Sequence, residues 1–468
     1  MSDTLLEVKA GPELSSGIFP GLPGEAAALW ADGENILFES GQVRKAYGFT
    51  ILDADTAFAA APSSIISMLA TTERRAIIGA AAKVHGYRTL DDITEVGTGF
   101  AAGGNWQFVP WGNWVIGNNQ VDVPQIWKHT SSAWDTTPSN LTAVFTTARC
   151  IAKFRNYLLA GGTSNGNSLI EHSVFGDPED FTVTLTGSAG NFEIRDIDAA
   201  ITAMVPLGEA MGIYTAEDLS WFRFIGGTAR FSVKFALESI GALNPHSVVS
   251  TGVLNYGITR DFVFVTDGNT FQHIHEPAVK DWLESYVDWT RADEVFGYFD
   301  KLNSRVVWYL PMLAGGMKGI AYRTQDRTWT RLNASMVVST PQGVWDGDLS
   351  CDTTNLYMSS KATRNKNGLA VAAFAQSKPL DLGYRRRYKW VDKVVFDIVT
   401  SGTVQVAFAY LDNPNDTPTF ETAVTMDEEV WLHRETPFLA FKITASAVGS
   451  DFKLNGFSVH GSYTGLVN

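Results

Sequence analysis

The chain has 468 residues, 45% of them apolar and only 18% charged, with 42 glycines and a net charge of −14 at neutral pH. That length exceeds the needs of one ordinary core and points to two or more domains; the low charge, with many glycines and aromatics, points to a turn-rich all-β protein and away from a helical or disordered one. With 50 acidic against 36 basic residues, a groove gripping nucleic acid is disfavoured, since phosphate binding needs clustered Lys and Arg. Nucleic acid passing an acidic surface that repels it is not excluded.

The first residues, MSDTLLEVKAGPELS, lack the basic-then-apolar pattern of a signal peptide. No apolar run approaches the roughly 18 residues of a membrane-crossing helix. Synthesis in the cytosol without stable membrane insertion is expected. Residues 1–58 form an N-terminal extension: Pro12, Pro20 and Pro23 mark an irregular lead, with a short helical turn expected over 25–30. DGENILFESGQVRKAYGF then reads as strands over 34–39 and 42–47 around a tight Ser40-Gly41 turn. Phe19, Trp30 and Phe38 are this segment's apolar anchors, to be buried against a neighbouring subunit or against the chain's own body.

From residue 59 to 374 a pattern recurs about every 46 residues: an apolar β-like run, a glycine-bearing turn, a second apolar run and an aromatic strand. Its openings fall near Ile65, Trp106, Cys150, Ile201, Tyr256, Val295 and Val344. The period suits one four-stranded blade of a β-propeller, and seven openings predict seven blades. Trp106, Trp127, Trp221 and Trp329 are expected between sheets or at their outer edges. Phe262–Val265 and Thr270–Ile274, joined through Asp267-Gly268, read as a hairpin. Arg305–Tyr309 and Gly319–Tyr322 read as another strand pair, followed by a turn into Trp329.

The pattern changes over 376–379, and residues 375–468 carry five short strand candidates: 388–399, 403–410, 430–434, 438–445 and 452–460. These predict a C-terminal β-sandwich or jelly-roll-like domain. Alternation puts Val404, Val406, Phe408 and Tyr410 on one face. Arg385, Arg386, Arg387 and Lys389 form the one dense basic cluster, a candidate contact for an acidic partner or another subunit.

Chemistry-bearing constellations are thin, and no catalytic, cofactor-binding or metal-binding residue is assigned. His273 and His275 share a strand face beside Glu276 but lack a third ligand. Asp196 with Asp198, and Asp346 with Asp348, are carboxylate pairs at turns, where such residues commonly bond backbone amides. Gly162-Thr-Ser164-Asn-Gly166 matches a nucleophile-elbow pattern, but its surroundings are all-β, and a polar hairpin turn fits them better. Cys150 and Cys351 read as buried free thiols.

Several segments together resemble the β-propeller tail hub, or nozzle, proteins of short-tailed bacteriophages. They are ADGENILFESGQVRKAYGF, GNWVIGNNQVDVPQIW (112–127), LAGGTSNGNSLIEHSVFGDPEDF (159–181), VPLGEAMGIYTAEDLSWFRFIGG (205–227) and GALNPHSVVSTGVLNYGITRDFVFVTDGNTFQHI (241–274). LDLGYRRRYKWVDKVVFDI and FKLNGFSVHG extend the likeness into the C-terminal part. The resemblance implies a non-enzymatic virion protein of the tail, assembled in the host cytoplasm. It implies a homo-oligomeric ring, a hexamer, with DNA passing its lumen without tight binding. It also implies contacts to a portal-side adaptor and to a fibre, needle or plug. In GNNQVD, Asn118 and Asn119 are expected to take left-handed torsions and Asp122 to cap the turn. The competing readings are a carbohydrate-active propeller enzyme, which needs an axial pocket with two carboxylates from different blades, and another fibre-anchoring structural protein.

Overall fold

The computed structural model describes residues 5–10 and 29–466, other than 40, 54–57, 59, 89–92, 130–132, 185–186, 195–198, 228–229, 276, 334–335, 341–342 and 383–386. It is an all-β protein of antiparallel sheets in a propeller-like repeat.

Five sheets are simple four-stranded meanders. Sheet 1 runs Ser64–Ala70, Glu73–Ala80, Lys83–Arg88 and Thr94–Gly97. Sheet 2 runs Gln107–Trp111, Trp114–Asn118, Gln125–Lys128 and Ser139–Asn140. Sheet 3 runs Ala148–Phe154, Tyr157–Thr163, Gly166–His172 and Gly190–Glu193. Sheet 4 runs Ala203–Leu207, Ala210–Tyr214, Leu219–Gly226 and Arg230–Leu237. Sheet 5 runs Val248–Ser250, Asn255–Ile258, Val263–Thr266 and Phe271–His273.

The first hairpins of sheets 1 to 4 share a device. Each turns in two residues, Thr71-Thr72, Gly112-Asn113, Arg155-Asn156 and Gly208-Glu209. The first residue of each pair has φ between 50° and 59°. That torsion belongs to the turn whose twist matches the right-handed twist of its strands.

Sheet 6 begins as a meander, Phe296–Asp300, Arg305–Pro311, Met317–Arg323 and Thr328–Leu332, and then continues into a nine-stranded sheet. Sheet 7 has Val338–Thr340, Leu349–Cys351 and Leu356–Ser360, and its next strand is Gly48–Ile51, from the start of the chain. The first strand of each sheet touches the first strand of the next, and the first strand of sheet 7 touches that of sheet 1.

Apolar cores lie between consecutive sheets. Trp106, Phe108 and Trp127 of sheet 2 and its lead-in pack with Met68, Ile77 and Val84 of sheet 1. Phe222 and Phe231 of sheet 4 pack with Leu159 and Ile170 of sheet 3. Trp308 and Trp329 join sheet 6 to Tyr256 and Val263 of sheet 5. Trp221 reaches sheet 5, where a Cβ on Gly268 would strike its indole; the residue is glycine at φ +87° for both reasons. All five of these tryptophans are buried, including the expected Trp106, Trp127, Trp221 and Trp329.

The openings at Ile65, Cys150, Ile201 and Val295 fall in or within two residues of a first strand, and Trp106 lies one residue before its strand. Two are displaced. Tyr256 lies in the second strand of sheet 5, and Val344 lies between the first two strands of sheet 7. The helix Pro277–Tyr286 was not foreseen. Its Val279, Trp282 and Leu283, spaced three and four apart, fill one face against sheets 5 and 6.

The C-terminal part is two facing sheets. One orders Ile36–Glu39, Gln42–Lys45, Asp451–Leu466, Arg387–Ser401 and Glu429–Thr436, with Leu5–Ala10 also paired to Asp451–Leu466. The other is the continuation of sheet 6: Trp30–Glu34, Ala373–Ser377, Phe438–Ala445, Gln405–Leu411 and Val424–Thr425. Their shared core includes Trp30, Phe38, Val43, Phe396, Val406, Phe408, Phe441 and Phe457, with Tyr410 packed partly against it. The hairpin expected in the extension therefore belongs to this unit, with Gly41 at φ +76° in its turn. The 25–30 helical turn is corrected at its end, where Trp30 is in a strand; residues 25–28 lie outside the described residues.

Candidate functional site

The lead-ins to five of the first strands come together. Those of sheets 1, 2, 5, 6 and 7 surround a cavity of about 330 Å³. Pro62, Gly104, Asn105, His246, Asp293 and Phe296 are among its walls, with Met317, Val337 and Val338.

Local turn chemistry positions the histidine. In Asn244-Pro245-His246-Ser247, Asn244 Oδ1 accepts from the His246 amide at 2.7 Å, and Ser247 Oγ accepts from the amides of Leu243 and Asn244. These are bonds that Asn and Ser make readily at turns. Asn244 Nδ2 meanwhile donates to the carbonyls of Ala292, Asp293 and Val295 at 2.9–3.1 Å, tying the lead-in of sheet 5 to that of sheet 6.

His246 then reaches to sheet 2. Its Nε2 lies 2.8 Å from the carbonyl oxygen of Trp106. A carbonyl only accepts, so Nε2 carries the proton and donates, leaving Nδ1 as an acceptor. Burial pushes the imidazole pKa down to about 4, so the ring is neutral at pH 7. Trp106 is fixed in turn: its indole Nε1 donates to Ala81 O at 2.8 Å, and its amide donates to Ser63 Oγ at 3.0 Å. Asn105 Nδ2 donates to Asp293 O, which ties the lead-ins of sheets 2 and 6 directly.

The residues singled out in sequence scatter. Arg387 is exposed, but Lys389 is buried: its Nζ donates to Pro437 O at 2.8 Å and stands over the Phe438 ring. Burial lowers its pKa to about 8. Lys389 is thus corrected from a partner contact to an internal one; a register shift between Tyr388 and Lys389 puts it on a different face from Arg387. Arg385, Arg386 and Phe19 lie outside the described residues. Trp30 and Phe38 are buried in the chain's own core rather than presented to a neighbour, with Trp30 meeting Phe441 edge-on at 5.9 Å.

The thin catalytic candidates stay apart. Ser164 and Asn165 turn the hairpin of sheet 3, and Ser164 Oγ accepts from the Thr146 amide at 3.0 Å; a strand follows rather than a helix. The His273 and His275 rings lie 5.4 Å apart, with His273 stacked on Phe262; Glu276 is outside the described residues. Among the described residues no group of three or more His, Cys, Asp and Glu could hold a metal ion. Asp348 is buried while Asp346 is exposed and pairs with Arg74; Asp196 and Asp198 are outside the described residues. Cys150 and Cys351 are both free and buried. In GNNQVD, Gln120 takes the left-handed torsion in place of Asn118 and Asn119, whose Oδ1 atoms accept from the amides of Gln120, Val121 and Asp122. Asp122 accepts from Ala101 N and Asn119 Nδ2.

No family model matches the chain. No curated protein matches it either. Among solved structures, the chain is similar to the β-propeller domain of Cps50 (Swd1) from Myceliophteria thermophila, at 9% identity and a TM-score of 0.43, covering 67% of this chain and 100% of that one. At that level the likeness says nothing of function.

Proposed function

We propose that this is a non-enzymatic virion protein, a subunit of the tail hub or nozzle ring of a short-tailed bacteriophage, which retains packaged DNA and frames the channel for its ejection. In this reading sheets 1 to 7 are the blades of one seven-bladed propeller, closed by Gly48–Ile51, and the C-terminal unit is a β-sandwich. Six copies form the ring, between a portal-side adaptor and a fibre, needle or plug.

The observation that carries the reading is the continuous sheet from Phe296–Asp300 to Val424–Thr425, which runs from the sixth blade into the sandwich. Arg331 reinforces it by pairing with Asp32, and Thr330 Oγ1 donates to Ile36 O at 3.0 Å. A sheet shared by two units leaves no linker on which they could swing, which suits a subunit that holds confined DNA. The segments resembling tail hubs support the same assignment. His246 and Asn105 tie lead-ins together at the axial end, so the DNA passage of this reading lies between subunits and not along a propeller axis.

The carbohydrate-active alternative gains no support from the cavity. Its carboxylate-bearing residues, Asp293 and Glu294, are neighbours on one lead-in rather than contributions of two blades.

Negative-stain imaging of the purified protein, and of phage particles made with and without it, tests the reading. Sixfold rings, and particles that lose DNA when the protein is missing, are expected. A monomer at micromolar concentration together with DNA-retaining particles in its absence would overturn it.

A further inference from the structure

The cavity carries charge of one sign. Asp293 and Glu294 line it, and no lysine or arginine does. Glu294 is engaged by Arg291, whose Nε donates to Oε1 at 2.7 Å. The Asp293 carboxylate has no hydrogen bond or ion pair among the described residues and feels the Arg291 cation only through space; its backbone carbonyl is used by Asn105 and Asn244. His246 also lines the cavity, with its Nε2–H committed to Trp106 O. Pro62, Met317, Val337 and Val338 supply apolar lining.

We propose that this cavity binds an alkylammonium or alkylguanidinium group on an aliphatic stem. A donor-rich cation pairs with the Asp293 carboxylate, and its methylenes cover the apolar Pro62, Met317 and Val338. An anion meets two carboxylates and no lysine or arginine. A neutral apolar ligand offers the Asp293 carboxylate no partner. The volume is at the small end for ligand sites, enough for one long basic side chain or a small polyamine. The group arrives either on a protein partner, as Arg or Lys, or as a free polyamine. The inference does not depend on the tail-hub assignment.

Calorimetric titration of the full chain with agmatine, spermidine and the blocked peptides Gly-Arg-Gly and Gly-Gln-Gly tests it. Saturable binding is expected for the cations, at least tenfold tighter than for the glutamine peptide. Asp293→Asn should weaken it at least tenfold with the melting temperature unchanged, since the side chain is exposed. Tighter binding of the arginine peptide than of spermidine assigns the source to a partner's side chain; the reverse assigns it to a free polyamine. In the wild-type protein, agmatine should shift the Met317 methyl resonance and leave that of Met68 in place, a readout that holds even if the variant fails to fold. No saturation with any cation, equal binding of the glutamine peptide, unchanged affinity in Asp293→Asn, or an unmoved Met317 signal at saturation would each overturn the proposal.

Discussion

Thr50 lies opposite Met358 in antiparallel register, so a strand from the start of the chain continues sheet 7. The Leu52 amide donates to Leu356 O at 2.9 Å, and the two-residue alternation turns the Thr50 amide toward the same strand. Thr50→Pro removes that donor, and the stranded acceptor makes the expected loss about 1–3 kcal/mol. Thr50→Ala, at an exposed side chain, should stay within about 0.5 kcal/mol of wild type. Urea unfolding of both variants reads the difference. Equal midpoints would mean that this strand adds nothing to the stability of sheet 7.

Lys389 and Arg387 should behave oppositely despite their closeness in sequence. Arg387→Glu changes an exposed residue, with an expected effect below about 0.5 kcal/mol. Lys389→Glu puts a carboxylate against Pro437 O in a buried site, with an expected cost of about 3–5 kcal/mol or failure to fold. Lys389→Met keeps the stem and should be far milder. Thermal melts of the three variants separate an internal lysine from a solvated one.

His129 should make the protein sensitive to mild acid. It is buried, edge-on to Trp134 at 5.3 Å, and its Nδ1 accepts from the Asp135 amide at 3.3 Å. Burial first, and then the positive charge of Arg75, push its pKa from 6.5 down to about 4, against the pull of Asp135. The unfolded chain therefore binds more protons than the folded one between about pH 6.5 and pH 4. Stability is full above pH 6.5 and falls as the pH drops through that window, by on the order of 2–3 kcal/mol for this one group. His85, His172 and His246, also lowered by burial, add to the slope. Denaturation midpoints measured from pH 7.5 to pH 4 should show a shallower fall in His129→Phe than in wild type. Parallel curves would mean that His129 is not held neutral by the fold.

Much of the repeat was legible because alternating apolar strands and tight turns are local signals. The strands expected over 430–434 and 438–445 appear as Glu429–Thr436 and Phe438–Ala445. Tyr256 and Val344 missed their first strands for a local reason: Val248–Ser250 and Val338–Thr340 are three residues each, too short for alternation to register. Lys389 misled because a bulge reset the face of the strand after Tyr388. The docking of Gly48–Ile51 and the reach of His246 to Trp106 are contacts between distant parts of the chain, which no local period encodes. The turn that aims His246, Asn244-Pro245-His246-Ser247, was a readable signal; its partner was not.

The threading of the early strands also orders the protein's synthesis. Gly48–Ile51 cannot find Leu356–Ser360, nor Gln42–Lys45 find Asp451–Leu466, until those late strands have left the ribosome. At about 5–20 residues per second, the roughly 300 residues between Thr50 and Met358 take roughly 15–60 s to appear. During that interval the edges of the early strands lack these partners, while sheets 1 to 5, each built from neighbouring segments, can already form. A ribosome that stalls before Leu356–Ser360 leaves a row of finished meanders with both early strands lacking their late partners, whereas a stall just before Asp451–Leu466 leaves only Gln42–Lys45 without its own.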